Sequence, residues 1–212
     1  MTQTAQRLAA TAAAYDAAAD RYAEFVRGAL DALPLDRAVL AAFAELVLAG
    51  DPGLTADLGC GPGLVGAHLA GLGLDVAGFD VSTAMTAIAR ATYPGLRFTT
   101  ASMHALPLPG ASLAGIVAWY SVIHAAPDEL PGYFAEFARV LRPGGHLLTA
   151  FFEADGEPVT VFDHKVTPAY RWPLDEVAAI AAAAGLAETG RMSRAPQGGE
   201  RFRRGHLLLR RP

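Results

Sequence analysis

The residues best suited to chemistry lie in one short run of this 212-residue chain, Asp57-Leu58-Gly59-Cys60-Gly61-Pro62-Gly63. Glycines at alternate positions let the backbone turn sharply and leave no Cβ in the way of a ligand. Gly61, Gly63 and Gly66 also spell G-x-G-x-x-G, a dinucleotide-binding pattern, so glycine spacing alone does not choose the ligand. Asp80, at the end of the next apolar run, suits two ribose hydroxyls in either case. Asp57 discriminates between them: a carboxylate leading into the loop repels a pyrophosphate but suits a ligand carrying ammonium and sulfonium charge. The plain structural alternative for Asp57 is a solvated strand end or cap.

Such residues need a frame that presents them together. Leu8 to Leu33 is predicted as an alanine-rich helix bearing Tyr15, Tyr22 and Phe25, broken at Leu33-Pro34-Leu35. A second helix is expected from Asp36 to Leu48 with Asp36 as its N-cap. Leu54 to Leu58 reads as a buried strand, the glycine loop follows, and a helix runs to about Leu72. Asp75 to Asp80 is the next strand, and Ser82 caps a helix ending near Tyr93. Leu96 to Ala101 and Leu113 to Ser121 are strands. Pro131 to Leu141 is a helix, closed by Arg142-Pro143-Gly144-Gly145, and His146 to Phe152 is the fifth strand. A helix from Leu174 to Ala184 and strands near Ala187 to Ser193 and His206 to Arg210 complete the set.

Short apolar strands alternating with helices predict an α/β fold: a doubly wound, mostly parallel seven-stranded sheet with cap helices at the N-terminus. A single domain over 1–212 is expected, with cap helices at 1–50, a ligand-binding core at 51–152 and C-terminal helix and strands at 173–212. The irregular stretch 153–172 is too long for a plain connector and is a candidate substrate loop.

Composition narrows the function. A hydrophobic content of 52% supplies a full core, and a formal net charge of −4 argues against nucleic acid as a partner. Lys165 is the only lysine, and Cys60 the only cysteine, so no internal disulfide forms and a structural zinc site is not expected. No signal peptide and no apolar run long enough to span a membrane are visible, so a cytoplasmic protein, monomer or homodimer, is expected.

Several motifs together carry a resemblance. Asp57 to Gly63, the strand end Gly78-Phe79-Asp80-Val81-Ser82, the turn Ala105-Leu106-Pro107-Leu108-Pro109 and Leu141-Arg142-Pro143-Gly144-Gly145 resemble class I (Rossmann-like) S-adenosylmethionine-dependent methyltransferases. The nearest likeness is to the small-molecule branch that includes ubiquinone- and menaquinone-type enzymes. Tyr15-Asp16 with Tyr22 resembles that branch's N-terminal cap helix, whose tyrosines approach the methionyl carboxylate. The likeness runs from about Tyr15 to the C-terminus.

That resemblance implies a Rossmann-like methyltransferase sheet, S-adenosylmethionine as cofactor with S-adenosylhomocysteine as product, and a small, partly apolar acceptor methylated on O, N or C. It implies cofactor contacts from Tyr15, Tyr22, Asp57, Gly59, Cys60, Gly61 and Gly63, and from Asp80, Val81, Met85 and Tyr120. One position departs. Similar enzymes carry an aspartate after the third strand for the adenine amino group, whereas this chain reads Ala101-Ser102-Met103. Ser102 can accept a hydrogen bond and the Met103 N–H can serve a ring nitrogen, but the charge-assisted component is lost.

Methyl transfer from a sulfonium is an in-line displacement, so the protein mainly positions the reactants and excludes water. The fourth strand ends in Trp119-Tyr120-Ser121-Val122-Ile123-His124, which makes His124 the best-placed base. Its alternative is a histidine that orders the loop or closes over the cofactor. Trp119, His124, Phe152, Phe162 and Tyr170 are the expected acceptor wall, with about half the aromatic residues of these segments serving as core instead. His68, His104 and His206 are weaker candidates, as are Asp163 and His164 in the irregular stretch. No metal is expected, because no cluster has ligand spacing. Two other readings stand beside this one: a dinucleotide-dependent oxidoreductase, and a cofactor-binding module without catalysis, supported only by the Ser102 departure.

Overall fold

The computed structural model describes residues 2–212. Helix α1 (Gln3–Val26) starts where Thr2 accepts the Ala5 N–H. It stops earlier than its alanine content predicts, because Gly28 adopts φ +68° and hands over to a 3₁₀ turn, Ala29–Ala32. Helix α2 (Pro34–Ala49) takes Pro34 in its first turn, where a missing N–H costs nothing. Asp36 is therefore not the N-cap expected from the sequence; it lies inside the first turn and is buried.

Strands and helices then alternate: β1 (Leu54–Leu58), α3 (Leu64–Gly71), β2 (Asp75–Asp80), α4 (Thr83–Thr92) and β3 (Arg97–Thr100). Next come β4 (Leu113–Trp119), a 3₁₀ turn (Val122–His124), α5 (Leu130–Val140) and β5 (Leu141–Phe152). Strand β5 starts earlier than expected, since Leu141 pairs with Leu113 ahead of the Pro143-Gly144 irregularity. The stretch 153–172 is not irregular throughout: β6 (Thr160–Phe162) and β7 (Ala169–Arg171) pair as an antiparallel ribbon. Helix α6 (Leu174–Ala183), β8 (Ala187–Arg194) and β9 (Arg204–Arg210) finish the described chain.

Among the described residues the main sheet has seven strands in the order β3-β2-β1-β4-β5-β9-β8. β1 to β5 run parallel, while β9 is antiparallel to both β5 and β8. Helices α2 and α3 cover one face, burying Leu40, Phe43 and Leu69 against Val117 and Leu148. Helices α5 and α6 cover the other, burying Phe134, Phe137 and Val177 against Ile116 and Leu147. This two-sided burial explains why the central strands are apolar throughout. A register shift between Leu113 and Gly115 turns Ala114 and Val117 to one face and Leu113 and Ile116 to the other. Strand order reverses between β1 and β4, so the loops leaving their C-terminal ends diverge and open a crevice.

Far in sequence but adjacent in space, α2 and β8 are joined by buried charge. Arg194 donates from Nε to Asp36 Oδ2 at 2.5 Å and from Nη2 to Glu200 Oε1 at 2.9 Å. The Arg194 and Asp36 side chains are 2% and 1% exposed. Removing one partner strands the other charge away from water, a loss of ~3–5 kcal/mol, whereas replacing both with apolar groups is far milder. Arg194→Met should therefore destabilise the fold by about that amount, and adding Asp36→Leu should recover much of it. Urea unfolding of both variants checks this; a double variant less stable than Arg194→Met overturns it.

Candidate functional site

The crevice is built on the loop after β1. Gly59, Gly61 and Gly63 have φ of +68°, +51° and +89°, a region that L side chains avoid. At Gly59 a Cβ would lie 2.3 Å from the Ser121 Cβ, so no larger residue fits between this loop and the end of β4. The Gly59 and Cys60 N–H groups both donate to Phe79 O, at 2.7 and 3.1 Å, which ties the loop to β2. Asp80 then receives Gly61 N on Oδ2 and Ser82 N on Oδ1, each at 2.8 Å. Burial raises its carboxyl and these two backbone donors oppose the rise. Each oxygen has a second lone pair, and Asp80 lines the crevice.

Helix α1 closes over this floor. Asp16 accepts Ser82 Oγ at 2.6 Å and Ala84 N at 2.9 Å, placing a carboxylate at the positive end of α4. The Tyr15 and Tyr22 rings meet edge to face at 5.4 Å, and Tyr22 lies beside Gly61. Burial pushes the Tyr22 hydroxyl up to about 12 and raises Tyr15 further. At the other end, Arg7 pairs with Asp128 and Glu129, both at 3.2 Å.

The Tyr15 hydroxyl lies 2.8 Å from His124 Nε2, and His124 Nδ1 lies 3.1 Å from Pro168 O. A carbonyl only accepts, so Nδ1 carries the proton and Nε2 accepts from Tyr15. Burial depresses His124 to about 4, opposed by the Pro168 hydrogen bond and reinforced by His164. The expected general base thus has its accepting nitrogen filled by a hydroxyl of the chain itself. Through these two contacts His124 links α1 to the segment before β7.

The resulting cleft is open to solvent. The structure brings to its wall Tyr15, Tyr22, Gly59, Gly61, Asp80 and Val81. From the other side come Ser102, Met103, Trp119, Tyr120 and His124. Seven residues expected at the site are placed elsewhere. Asp57 is 1% exposed and points beneath the loop, with Oδ2 3.0 Å from where a Gly66 Cβ would be. Cys60 packs with Ala89 and Phe98, and a Cβ at Gly63 would meet the Phe98 ring at 2.9 Å. Met85 is fully buried in the first turn of α4. Phe152 and Phe162 stack with Phe202 behind Tyr120, with the Arg204 guanidinium 4.2 Å over Phe152. Tyr170 packs toward Trp172.

Sequence reasoning missed several wall residues. Leu8 and Thr11 line the cleft with Tyr15 and Tyr22, and intervals of three, four and seven put all four on one helical face. Projecting that face back from the tyrosines finds them. Ser121 is the last residue of the expected fourth strand, but Glu129 and Tyr133 belong to no motif. Among the described residues there is no cluster able to hold a metal ion.

With this geometry in hand, comparison with known proteins agrees. A family described as a methyltransferase domain matches residues 56–145. A malonyl-[acyl-carrier protein] O-methyltransferase of Enterobacter lignolyticus is 32% identical over 70% of this chain and 56% of its own length. A demethylmenaquinone methyltransferase of Beutenbergia cavernae is 34% identical over 45% of this chain and 39% of its own. The chain thus spans about half the length of these curated relatives or less. The crystal structure of a Burkholderia thailandensis 1,6-didemethyltoxoflavin-N1-methyltransferase, with bound 1,6-didemethyltoxoflavin and S-adenosylhomocysteine, shares the fold. Its TM-score is 0.67 at 22% identity, covering 91% of this chain and 90% of that one. The chain is thus similar to methyltransferases in sequence, over residues 56–145 by the family match, and in fold.

The buried Asp57 yields a pH test. Burial pushes it up to about 7 from an ordinary 3.8, against the Gly66 backbone bond and with the Asp80 charge adding to the rise. A carboxyl raised in the folded state contributes stability that is full below pH 3.8 and lost as pH rises through about 7. Asp57→Asn, which never charges, should gain on the wild type across that window by up to ~1.4 kcal/mol per pH unit. Urea unfolding at both ends of the window measures the gap, and a gap that does not widen with pH refutes the placement.

Proposed function

We propose that the chain binds S-adenosylmethionine in this cleft and transfers its methyl group to an O, N or C atom of a small, partly apolar acceptor. The observation that carries this reading is Asp80: a buried carboxylate on the cleft wall, fixed by two backbone donors and with a lone pair to spare on each oxygen. Such a group fits a ribose diol. The backbone at Gly59 and Gly61 leaves room for the methionyl portion beneath Tyr22.

The bound cofactor supplies an already activated methyl group, so the chain's own residues need only place an acceptor in line and keep water out. Trp119 and Tyr120 form the apolar wall where β4 ends, and α1 shields the cleft from solvent. Tyr15 and His124 satisfy each other, and in this arrangement neither is free to take a proton from the acceptor. An acceptor atom that needs no strong base fits best.

Asp57 makes no direct contact with a ligand in the cleft, since that side chain lies beneath the loop. What disfavours a dinucleotide is instead the Tyr22 ring over Gly61, where a pyrophosphate would have to lie. The net charge of −4 supports a small-molecule acceptor over nucleic acid, and we infer a cytoplasmic monomer or homodimer. No described helix is long and apolar enough to cross a membrane.

Calorimetry with S-adenosylhomocysteine and with NAD tests the ligand. The first should bind and the second should not, and Asp80→Ala, which also frees two backbone N–H groups, should lose at least about tenfold in affinity while remaining folded, since a charged acceptor bond is worth ~1.5–3 kcal/mol. Binding of NAD alone, or an unchanged affinity in folded Asp80→Ala, refutes the assignment. Methyl-labelled cofactor offered with a metabolite panel then separates an enzyme from a binding module.

A further inference from the structure

Glu129 immediately precedes α5 and lines the same cleft as Tyr133, Ser102 and Met103. Its side chain is only 6% exposed. One oxygen, Oε2, accepts the Ala126 N–H at 3.2 Å. The other, Oε1, is buried with no hydrogen-bond partner. Arg7 Nη1 is 3.2 Å from Oε1 but out of line for a hydrogen bond, and it donates to Asp128 instead. The cation offsets the charge of Glu129 while leaving that acceptor open. A carboxylate oxygen has two lone pairs, so beside its ion pair with Arg7 this buried oxygen has room for a hydrogen-bond donor from the cleft.

The neighbouring loop shows which donor is missing. The segment 101–103 carries no carboxylate, and Ser102 Oγ already accepts the His104 N–H at 3.1 Å. His104 in turn packs edge to face on Tyr133 at 5.3 Å, so this loop and the start of α5 form one wall. We propose that Glu129 Oε1 accepts the exocyclic amine of the cofactor's adenine, making the site selective for a 6-amino over a 6-oxo purine. The inference rests on the proposed binding of S-adenosylmethionine. A 6-oxo base would turn carbonyl lone pairs toward a carboxylate, which rejects it as well as failing to donate.

Calorimetry with S-adenosylhomocysteine and S-inosylhomocysteine, on wild type and Glu129→Gln, tests this. Wild type should prefer the adenine form by ~10- to 100-fold. Glu129→Gln keeps its shape and its bond to Ala126, but can turn an amide donor to the base. It should lose most of the preference, binding the adenine form more weakly and the inosine form more tightly. Glu129→Asp, which withdraws the carboxylate by one methylene, should also lose preference and serves if the glutamine variant does not fold. A wild type that binds both ligands equally, or a folded variant that keeps the wild-type preference, overturns the role of Glu129. A wild type that binds neither ligand refutes the cofactor reading itself.

Discussion

The carboxylate of Asp80 takes one backbone hydrogen bond from each of two loops, Gly61 after β1 and Ser82 after β2, and so fixes the two strand ends relative to each other. Everything above the sheet is referenced to that joint. Ser82 passes it on: its hydroxyl caps α4 through Met85 N and donates to Asp16 of α1. One buried acid therefore sets the glycine loop, the start of α4 and, through one hydroxyl, the docking of the N-terminal helix. An alanine at position 80 would free two backbone donors, and only the loop glycines would still hold the local turn.

Helix α1 is held differently from the sheet. Of its residues only Ala18 and Ala19 are buried, so little apolar area anchors it. Its attachment comes from directional contacts spaced along one side: Arg7 to Asp128 and Glu129, Tyr15 to His124, and Asp16 to Ser82 and Ala84. Exposed pairs such as Arg7 with Asp128 contribute little, and a typical neutral hydrogen bond only ~0.5–1.5 kcal/mol. The helix is thus the least expensive large element to displace, although it forms the roof of the cleft. A ligand touching both α1 and the floor would add the apolar contact this roof lacks.

The strands and the cofactor side were legible in the sequence because local chemistry dictates them. The bounds of β1 and β2 follow from apolar runs ended by acids and glycine, and Ser82 caps α4 as its side chain predicts. What escaped the sequence is where side chains point. Asp57 and Asp80 both end strands, yet one lies beneath the glycine loop and the other on the cleft wall, a difference that only the three-dimensional path of the loop decides. Asp36 looked like a cap and is half of a buried ion pair, because its partner Arg194 lies 158 residues away. Glu129 gave no signal, since its meaning depends on a loop 26 residues earlier and a helix at the other end of the chain.

The acceptor end is coupled to the cofactor end by steric contact rather than by charge. Tyr120 holds φ +51°, a left-handed backbone that costs a non-glycine residue of order 1 kcal/mol and persists only where its surroundings demand it. Here they do: its N–H is bound to Ala150 O, and its ring packs against both Phe152 and the Arg204 guanidinium. That twist carries Ser121 back against Gly59, so closely that no Cβ fits between them. The two loops that would bear the donor and the acceptor of a methyl group are therefore packed in register. Repacking behind Tyr120, at Phe152 or Phe202, would shift Ser121 and with it the floor of the glycine loop. Substitutions made to alter acceptor choice from that side should consequently disturb cofactor affinity too, whereas the face of α1 bearing Leu8 and Thr11 can vary without moving either loop.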